Sequence, residues 1–182
     1  MIDRLHRFAL RCFGRLPRSM RRRLVRHITP NFTVGAVCVI ERADGAVLLV
    51  RQAYRERWGV PGGLLNRGED APDGAKREVR EEVGIEVVLL GEPAVVVEPA
   101  PQRIDIIFRA RPVGEVTAEA TPTSAEIVEA RWFAPDELPE LQHETSAALV
   151  ALARSSRSPQ ARALGAVVDP AQALHVVREQ AG

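Results

Sequence analysis

Between Gly62 and Ile85 the chain gathers carboxylates at a spacing suited to holding a cation. At 100° per residue, Glu78, Glu81 and Glu82 fall on one face of a helix, while Ala75, Val79 and Val83 fall on another. Like charges three and four residues apart destabilise a helix by about 0.2–0.5 kcal/mol per pair, and no lysine is interleaved among these three. Local conflicts of this kind tend to mark functional sites. A hard divalent cation resolves this one, because oxygen ligands and partial hydration suit Mg²⁺ or Mn²⁺. A solvated acidic face is the alternative for an E-x-x-E-E run taken alone. Here, however, the helix follows a glycine-rich loop, which can aim carboxylates and backbone groups together at a bound phosphate.

The elements that must position these groups are legible in the pattern. Asp70 is the expected N-cap and Pro72 sits in the first turn of a helix running to about Val83, with Gly84 as its stop. Ahead of it, Phe32–Ile40 reads as a buried strand, and Ala43-Asp-Gly45 supplies a hairpin turn into Ala46–Val50. Trp58-Gly-Val-Pro-Gly-Gly-Leu-Leu65 is a short extended segment broken by glycine and proline. Strands follow at roughly Ile85–Leu90, Ala94–Glu98, Arg103–Arg111 and Ile127–Phe133, then a helical turn from Asp136 and a longer helix over Thr145–Ala153. Gly74 inside the acidic helix costs about 1 kcal/mol against alanine; either it permits a close approach or it has no purpose. Mixed strands with a few helices suggest an α+β sandwich.

The stretch from Gly63 to Ile85 resembles the Nudix box, G-x5-E-x7-R-E-U-x-E-E-x-G-U with U apolar, and matches every fixed position. Trp58-x-x-Pro61-Gly62-Gly63 also resembles the family, as does Glu126-Ile-Val-Glu129-Ala-Arg-Trp132-Phe, followed by Asp136-Glu-Leu-Pro. The likeness runs from about Thr33 to Ala153. It implies the Nudix fold, an α/β/α sandwich around a mixed sheet. It also implies a metal-dependent hydrolase that cleaves a diphosphate linkage in a nucleoside diphosphate derivative, such as a nucleotide sugar like ADP-ribose, or in a nucleoside triphosphate. Carried over by position, the Gly62 carbonyl, Glu81 and Glu82 would be ligands to Mg²⁺ or Mn²⁺. Glu78 would be a further ligand or would hold the attacking water as general base, and Arg77 with Glu69 would form the ion pair that orients it. In some members the base comes from a distant loop; Glu126 and Glu129 are the candidates, with a solvated strand end as the alternative.

Other features bear on substrate. Tyr54, Trp58, Phe108 and Trp132 are candidates to stack on a base, although a strand normally buries such residues and the core reading is favoured for each. His143 reads as an exposed loop residue. Family members acting on dinucleoside polyphosphates usually carry a tyrosine beyond the box, whereas the one tyrosine here, Tyr54, precedes it. The serine, proline and tryptophan signature of NADH-type members is absent as well. Pro101 stands sixteen residues past the box, where ADP-ribose-type members carry a proline, and Gln102, Arg103 and Asp105 could bond a sugar. A nucleoside diphosphate joined to a sugar or small alcohol is therefore expected over a dinucleoside polyphosphate.

The ends differ from this body. Residues 1–27 hold nine arginines against one acid, Asp3, a net +8, while the remaining 16 basic and 23 acidic residues leave −7. Ile2, Leu5, Phe8, Ala9, Cys12 and Leu16 recur at helical spacing, and Ser19 is the expected cap of a second short helix carrying Met20, Leu24, Val25 and Ile28. Such a basic amphipathic arm, residues 4–26, can meet an anionic membrane or nucleic acid. The favoured reading packs its apolar stripe on the domain or on a second subunit, which leaves a homodimer open. Ser155-Ser-Arg-Ser-Pro159 reads as a linker to a last helix opening at Asp169-Pro170. The expected division is thus a basic helical extension (1–30), a catalytic domain (31–154) and a linker with a C-terminal helix (155–182).

With 182 residues, 46% apolar and 27% charged, the chain has the size of one core-forming globular domain. No apolar run approaches the roughly 20 residues needed to span a bilayer, and the basic N-terminus lacks the apolar stretch of a secretory signal. Cys12 and Cys38 lie in apolar patterns without metal-ligand spacing, so reduced core thiols and a cytoplasmic location are expected. The rivals to an enzyme are a nucleotide-sensing Nudix-like domain without turnover and a membrane- or RNA-associated protein acting through its arm. The complete carboxylate set argues against the sensor.

Overall fold

The computed structural model describes residues 7, 10, 11, 13–114 and 120–155. The expected C-terminal helix and nearly all of its linker, together with Cys12, lie outside the described residues. The chain divides between Phe32 and Thr33 into two units.

In the first unit, residues 13–15 are helical and α1 spans Arg18–Ile28. The cap differs from the sequence expectation: Pro17 occupies the N-cap and Ser19 lies within the first turn. Proline's fixed φ leads directly into the helix, and the N–H it lacks is one that a helix start leaves unpaired anyway. Thr29 closes the helix, with its N–H and hydroxyl both donating to the Val25 carbonyl.

The second unit is built on strands β1 (Thr33–Ile40), β2 (Val47–Gln52), β3 (Gly62–Leu64), β4 (Val87–Glu98), β5 (Arg103–Pro112) and β6 (Ile127–Phe133), with helices α2 (Ala71–Val83) and α3 (His143–Ser155). Four strands form a mixed sheet in the order β3-β1-β5-β4, with β1 and β5 parallel and the edge strands antiparallel. β2 and β6 form a separate antiparallel pair. The turn at Ala43-Asp-Gly45 forms, with Gly45 at φ 86°, the Arg42 N–H donating to Ala46 and Asp44 accepting the Ala46 N–H at 3.1 Å. The strands it joins are not the expected hairpin, however: beyond a single Glu41–Val47 bridge, β1 and β2 go to different sheets.

Alternation along β1 and β5 sends side chains to two cores, one beneath each helical layer. Ala75, Val79 and Val83 of α2 are buried with Ala36, Cys38, Ile40, Phe108 and Ala110. Leu141, Ala148 and Leu152 pack on Val39, Leu49, Ala94 and Ile107 across the sheet. Burying each valine of α2 contributes about 1.5–3 kcal/mol, so the acidic helix is held by its apolar stripe. The result is the α+β sandwich with a mixed sheet that the pattern implies.

Three details depart from the expected boundaries. The strands placed at 85–90 and 94–98 are one long β4, whose register shifts between Leu90 and Ala94 where Gly91 takes φ 63°. The segment at Asp136 is a turn rather than a helical start, and α3 begins at His143 instead of Thr145. Among the described residues, no helix is long and apolar enough to cross a membrane.

Candidate active site

β3 is a three-residue edge strand, and its glycines set the site. Gly62 pairs with Val37 at φ 151°, where a Cβ would lie 2.6 Å from the Ala36 carbonyl oxygen. The Glu82 carboxylate accepts the Gly62 N–H at 3.0 Å. At Gly63 a Cβ would meet the Glu78 carboxylate at 2.5 Å, so Glu78 rests directly on the bare backbone of β3. Two glycines and two glutamates thus join the edge strand to the acidic face of α2.

That helix is placed by its ends. Asp70 is the N-cap, acting through its carbonyl, which accepts the Gly74 N–H at 2.9 Å; its side chain makes no cap bond. Gly84 ends the helix at φ 67° with its N–H on the Arg80 carbonyl. Thr123, from the segment before β6, donates its hydroxyl to the Glu81 carbonyl at 2.8 Å and its N–H to the Glu82 carbonyl at 2.9 Å. Gly74 has a purpose: a Cβ there would lie 2.3 Å from Leu65 Cδ2 and 3.3 Å from the Glu69 carboxylate. Its missing side chain lets the loop fold down on the helix.

Arg77 links the loop to the helix. Its Nε and Nη2 donate to the two oxygens of Glu69 at 2.7 and 3.0 Å, a two-pronged pair, and Nη2 also reaches the Leu64 carbonyl at 3.3 Å. Nη1 donates to Glu78 at 2.7 Å and to Glu81 at 3.0 Å. The Arg77 guanidinium, joined by the Asn66 N–H, holds the Glu69 carboxyl down to about 2. A guanidinium therefore relieves the repulsion that the spacing of Glu78 and Glu81 implies. Glu82 receives no such relief. Burial pushes its carboxyl up to about 8; the Gly62 N–H pulls the other way, and the charges of Glu78, Glu126 and Glu81 add to the rise.

Of the two loop candidates, Glu126 lies near enough to Glu82 to repel it, and its carbonyl accepts the Ala53 N–H at 2.8 Å. Glu129 is turned to other partners, Arg51 at 2.7 Å and Arg131 at 2.6 Å. Among the described residues, no three acidic, histidine or cysteine side chains form a ready-made metal cage. The donor set nonetheless fits a hard divalent ion. It consists of oxygens alone, and it contains a buried carboxylate that three like charges repel and that, among the described residues, no cationic side chain pairs.

The aromatic candidates separate. Phe108 is buried, Trp58 packs edge-on against Phe133 at 4.9 Å, and Trp132 lies half-buried beneath the Arg42 guanidinium. Tyr54 departs from the core expectation, being 67% exposed past the end of β2. His143 is exposed, as expected, but at the start of α3 rather than in a loop. On the α3 side of the sheet, Arg103 Nε donates to both oxygens of buried Asp105, and the pair lies over Gly35, where a Cβ would meet Asp105 at 2.3 Å. Gln102 sits in the preceding turn at φ 52°. Sequence reading missed Thr123 and the seat of Glu78 on Gly63. Thr123 lies about forty residues beyond α2 in a Thr-Pro-Thr-Ser run without periodicity, so no local signal marks it.

Residues 31–153 match the NUDIX domain. A MutT-like protein of Streptomyces ambofaciens is 32% identical over 133 residues, covering 73% of this chain and 84% of the relative. The human 8-oxo-dGDP phosphatase NUDT18 is 33% identical over 114 residues, 59% of this chain but 33% of that longer protein. Among solved structures, an ADP-ribose pyrophosphatase of Streptococcus suis is 27% identical with a TM-score of 0.55, covering 72% of this chain and 95% of that one. The match across most of the chain, on a loop and helix built as described, places it among the Nudix hydrolases, a family of pyrophosphohydrolases: the chain belongs to that family.

Proposed function

We propose that this chain hydrolyses a diphosphate linkage in a nucleoside diphosphate derivative, a nucleotide sugar such as ADP-ribose or a related compound, or in a nucleoside triphosphate. The observation that carries this reading is Arg77, which joins Glu69, Glu78 and Glu81 in one network beside the Glu82–Gly62 contact. Glu78, Glu81, Glu82 and the Gly62 carbonyl would hold Mg²⁺ or Mn²⁺. The bound cation supplies charge neutralisation to the diphosphate oxygens as the bridging bond breaks.

The chain's own groups do the rest. Arg77, fixed by Glu69, holds Glu78 against β3 at a defined angle. Glu78, or Glu126 from the loop before β6, takes the proton from water as its oxygen bonds to phosphorus in line. The bridging P–O bond breaks with its electron pair going to the departing phosphate. Glu126 is exposed and, among the described residues, makes no guanidinium contact, whereas Glu78 is held by Arg77. The preference for a sugar-linked diphosphate rests on the missing tyrosine beyond the box, on Pro101 with Gln102, and on Arg103 and Asp105. Because Arg103 and Asp105 pair with each other, any sugar contact they make must use what that pair leaves over.

The test is a screen of purified protein with Mg²⁺ and with Mn²⁺ against nucleotide sugars, dinucleotides, nucleoside triphosphates and CDP-alcohols. Chelator-sensitive release of a nucleoside monophosphate from at least one class is expected, with ADP-ribose or another nucleotide sugar giving a higher kcat/KM than diadenosine polyphosphates. Tight nucleotide binding without turnover would overturn the enzymatic reading. A higher kcat/KM on diadenosine polyphosphates would overturn the substrate preference.

A further inference from the structure

Taken by itself, the N-terminal unit carries a second surface that diphosphate chemistry does not use. In α1, Met20, Leu24 and Ile28 follow one another at every fourth position with Val25 alongside, and they are 53%, 43%, 71% and 41% exposed. Leu10, earlier in the same unit, is 55% exposed. Arg23 projects from the opposite face and Arg18 from the flank beside Val25, both exposed, while Arg21, half-covered, lies within the apolar stripe between Val25 and Ile28. Nine arginines against one acid in residues 1–27 give the unit a net +8.

We propose that α1 lies flat on an anionic lipid surface, with its apolar stripe in the acyl boundary and its arginines on the headgroups. The argument is that both halves of the helix then find a partner at once. An anionic bilayer interface takes an apolar stripe and a positive rim in the same plane, and an arginine inside the stripe reaches the headgroups by extending its stem. Nucleic-acid phosphates satisfy the positive charge but leave Met20, Leu24, Val25 and Ile28 in water. The α1 sequence also lacks phenylalanine, tyrosine and tryptophan, the large aromatic plates on which single-stranded bases stack best. The proposal is independent of the reaction proposed above.

The test is flotation of the full-length protein with vesicles of phosphatidylcholine alone and of phosphatidylcholine mixed with phosphatidylglycerol, at low and at moderate salt. Retention on the anionic vesicles should exceed that on neutral ones by about tenfold or more and should weaken as salt rises. Leu24→Ser with Ile28→Ser leaves the charge unchanged and should lower anionic-vesicle retention by about tenfold. Arg18→Gln with Arg23→Gln should lower it as well, and both pairs should keep the wild-type unfolding midpoint. Equal retention on both vesicle types, or wild-type retention by the serine pair, would overturn the proposal. So would salt-sensitive capture of single-stranded RNA, or self-association of the protein, without vesicle binding.

Discussion

The Glu82 carboxylate accepts the backbone N–H of Gly62 at 3.0 Å, tying the acidic helix to the edge strand across a separation of 20 residues. Glu82 is 6% exposed, and its carboxylate faces the charges of Glu78, Glu126 and Glu81. Glutamine at this position keeps the acceptor for Gly62 and removes the repelled charge. Glu82→Gln should therefore keep or raise the unfolding midpoint while turnover falls by about 10²-fold or more. Steady-state kinetics and thermal unfolding check this, and wild-type turnover by the variant would remove Glu82 from the proposed ligand set.

Gly63→Ala tests the seat of Glu78. The added methyl would lie 2.5 Å from the Glu78 carboxylate, which must move while the backbone of β3 stays paired to β1. Activity should drop by more than tenfold, with circular dichroism unchanged. An alanine variant as active as wild type would mean that Glu78 works from elsewhere.

Thr123→Val removes the hydroxyl that donates to the Glu81 carbonyl at 2.8 Å and keeps the β-branched shape. The loss should be about 1 kcal/mol of stability, together with a higher Mg²⁺ concentration for half-maximal rate, because the end of α2 is released. Thr123→Ser should restore both. A stability loss with an unchanged Mg²⁺ requirement would confine Thr123 to a structural role.

Gly74 sets helix propensity against packing. Alanine gains about 1 kcal/mol in a helix interior, but here its methyl would lie 2.3 Å from Leu65 Cδ2. Gly74→Ala should therefore destabilise the native protein, and by clearly less in a Leu65→Ala background, where only the Glu69 carboxylate at 3.3 Å stays close. A double-mutant cycle by denaturant unfolding measures the coupling, and additive effects would refute the contact.

Cys38 is fully buried, and burial pushes its thiol from 9.0 up to about 12. The unfolded chain thus loses this proton at lower pH than the folded one. The contribution is intact below pH 9.0 and falls away as pH rises from 9.0 toward 12. Replacing Cys38 with alanine should flatten the alkaline fall in stability relative to wild type, and Cys38 should resist thiol reagents until the protein unfolds.

Much of the site is local in sequence and so was legible there. The spacing of Glu78, Glu81 and Glu82 on one face, the apolar stripe of Ala75, Val79 and Val83, and the stop at Gly84 all follow from 3.6-residue periodicity and the backbone freedom of glycine. The family pattern from Gly63 to Ile85 extends the same logic, because its spacings lie within one loop and one helix. Tertiary structure decided what depends on chain segments meeting. The Arg77 guanidinium reaches Glu81 as well as Glu69 and Glu78, so the expected carboxylate conflict falls mainly on Glu82. The purpose of Gly74 comes from Leu65 packing against it, and Thr123 meets the end of α2 from 42 residues away. Glu126 and Glu129 look interchangeable three residues apart, but strand pairing sends Glu129 to Arg51 and leaves Glu126 beside the helix acids. Periodicity reports which face a residue occupies; which groups face each other across the fold depends on β3 pairing with β1 and on α2 burying its stripe.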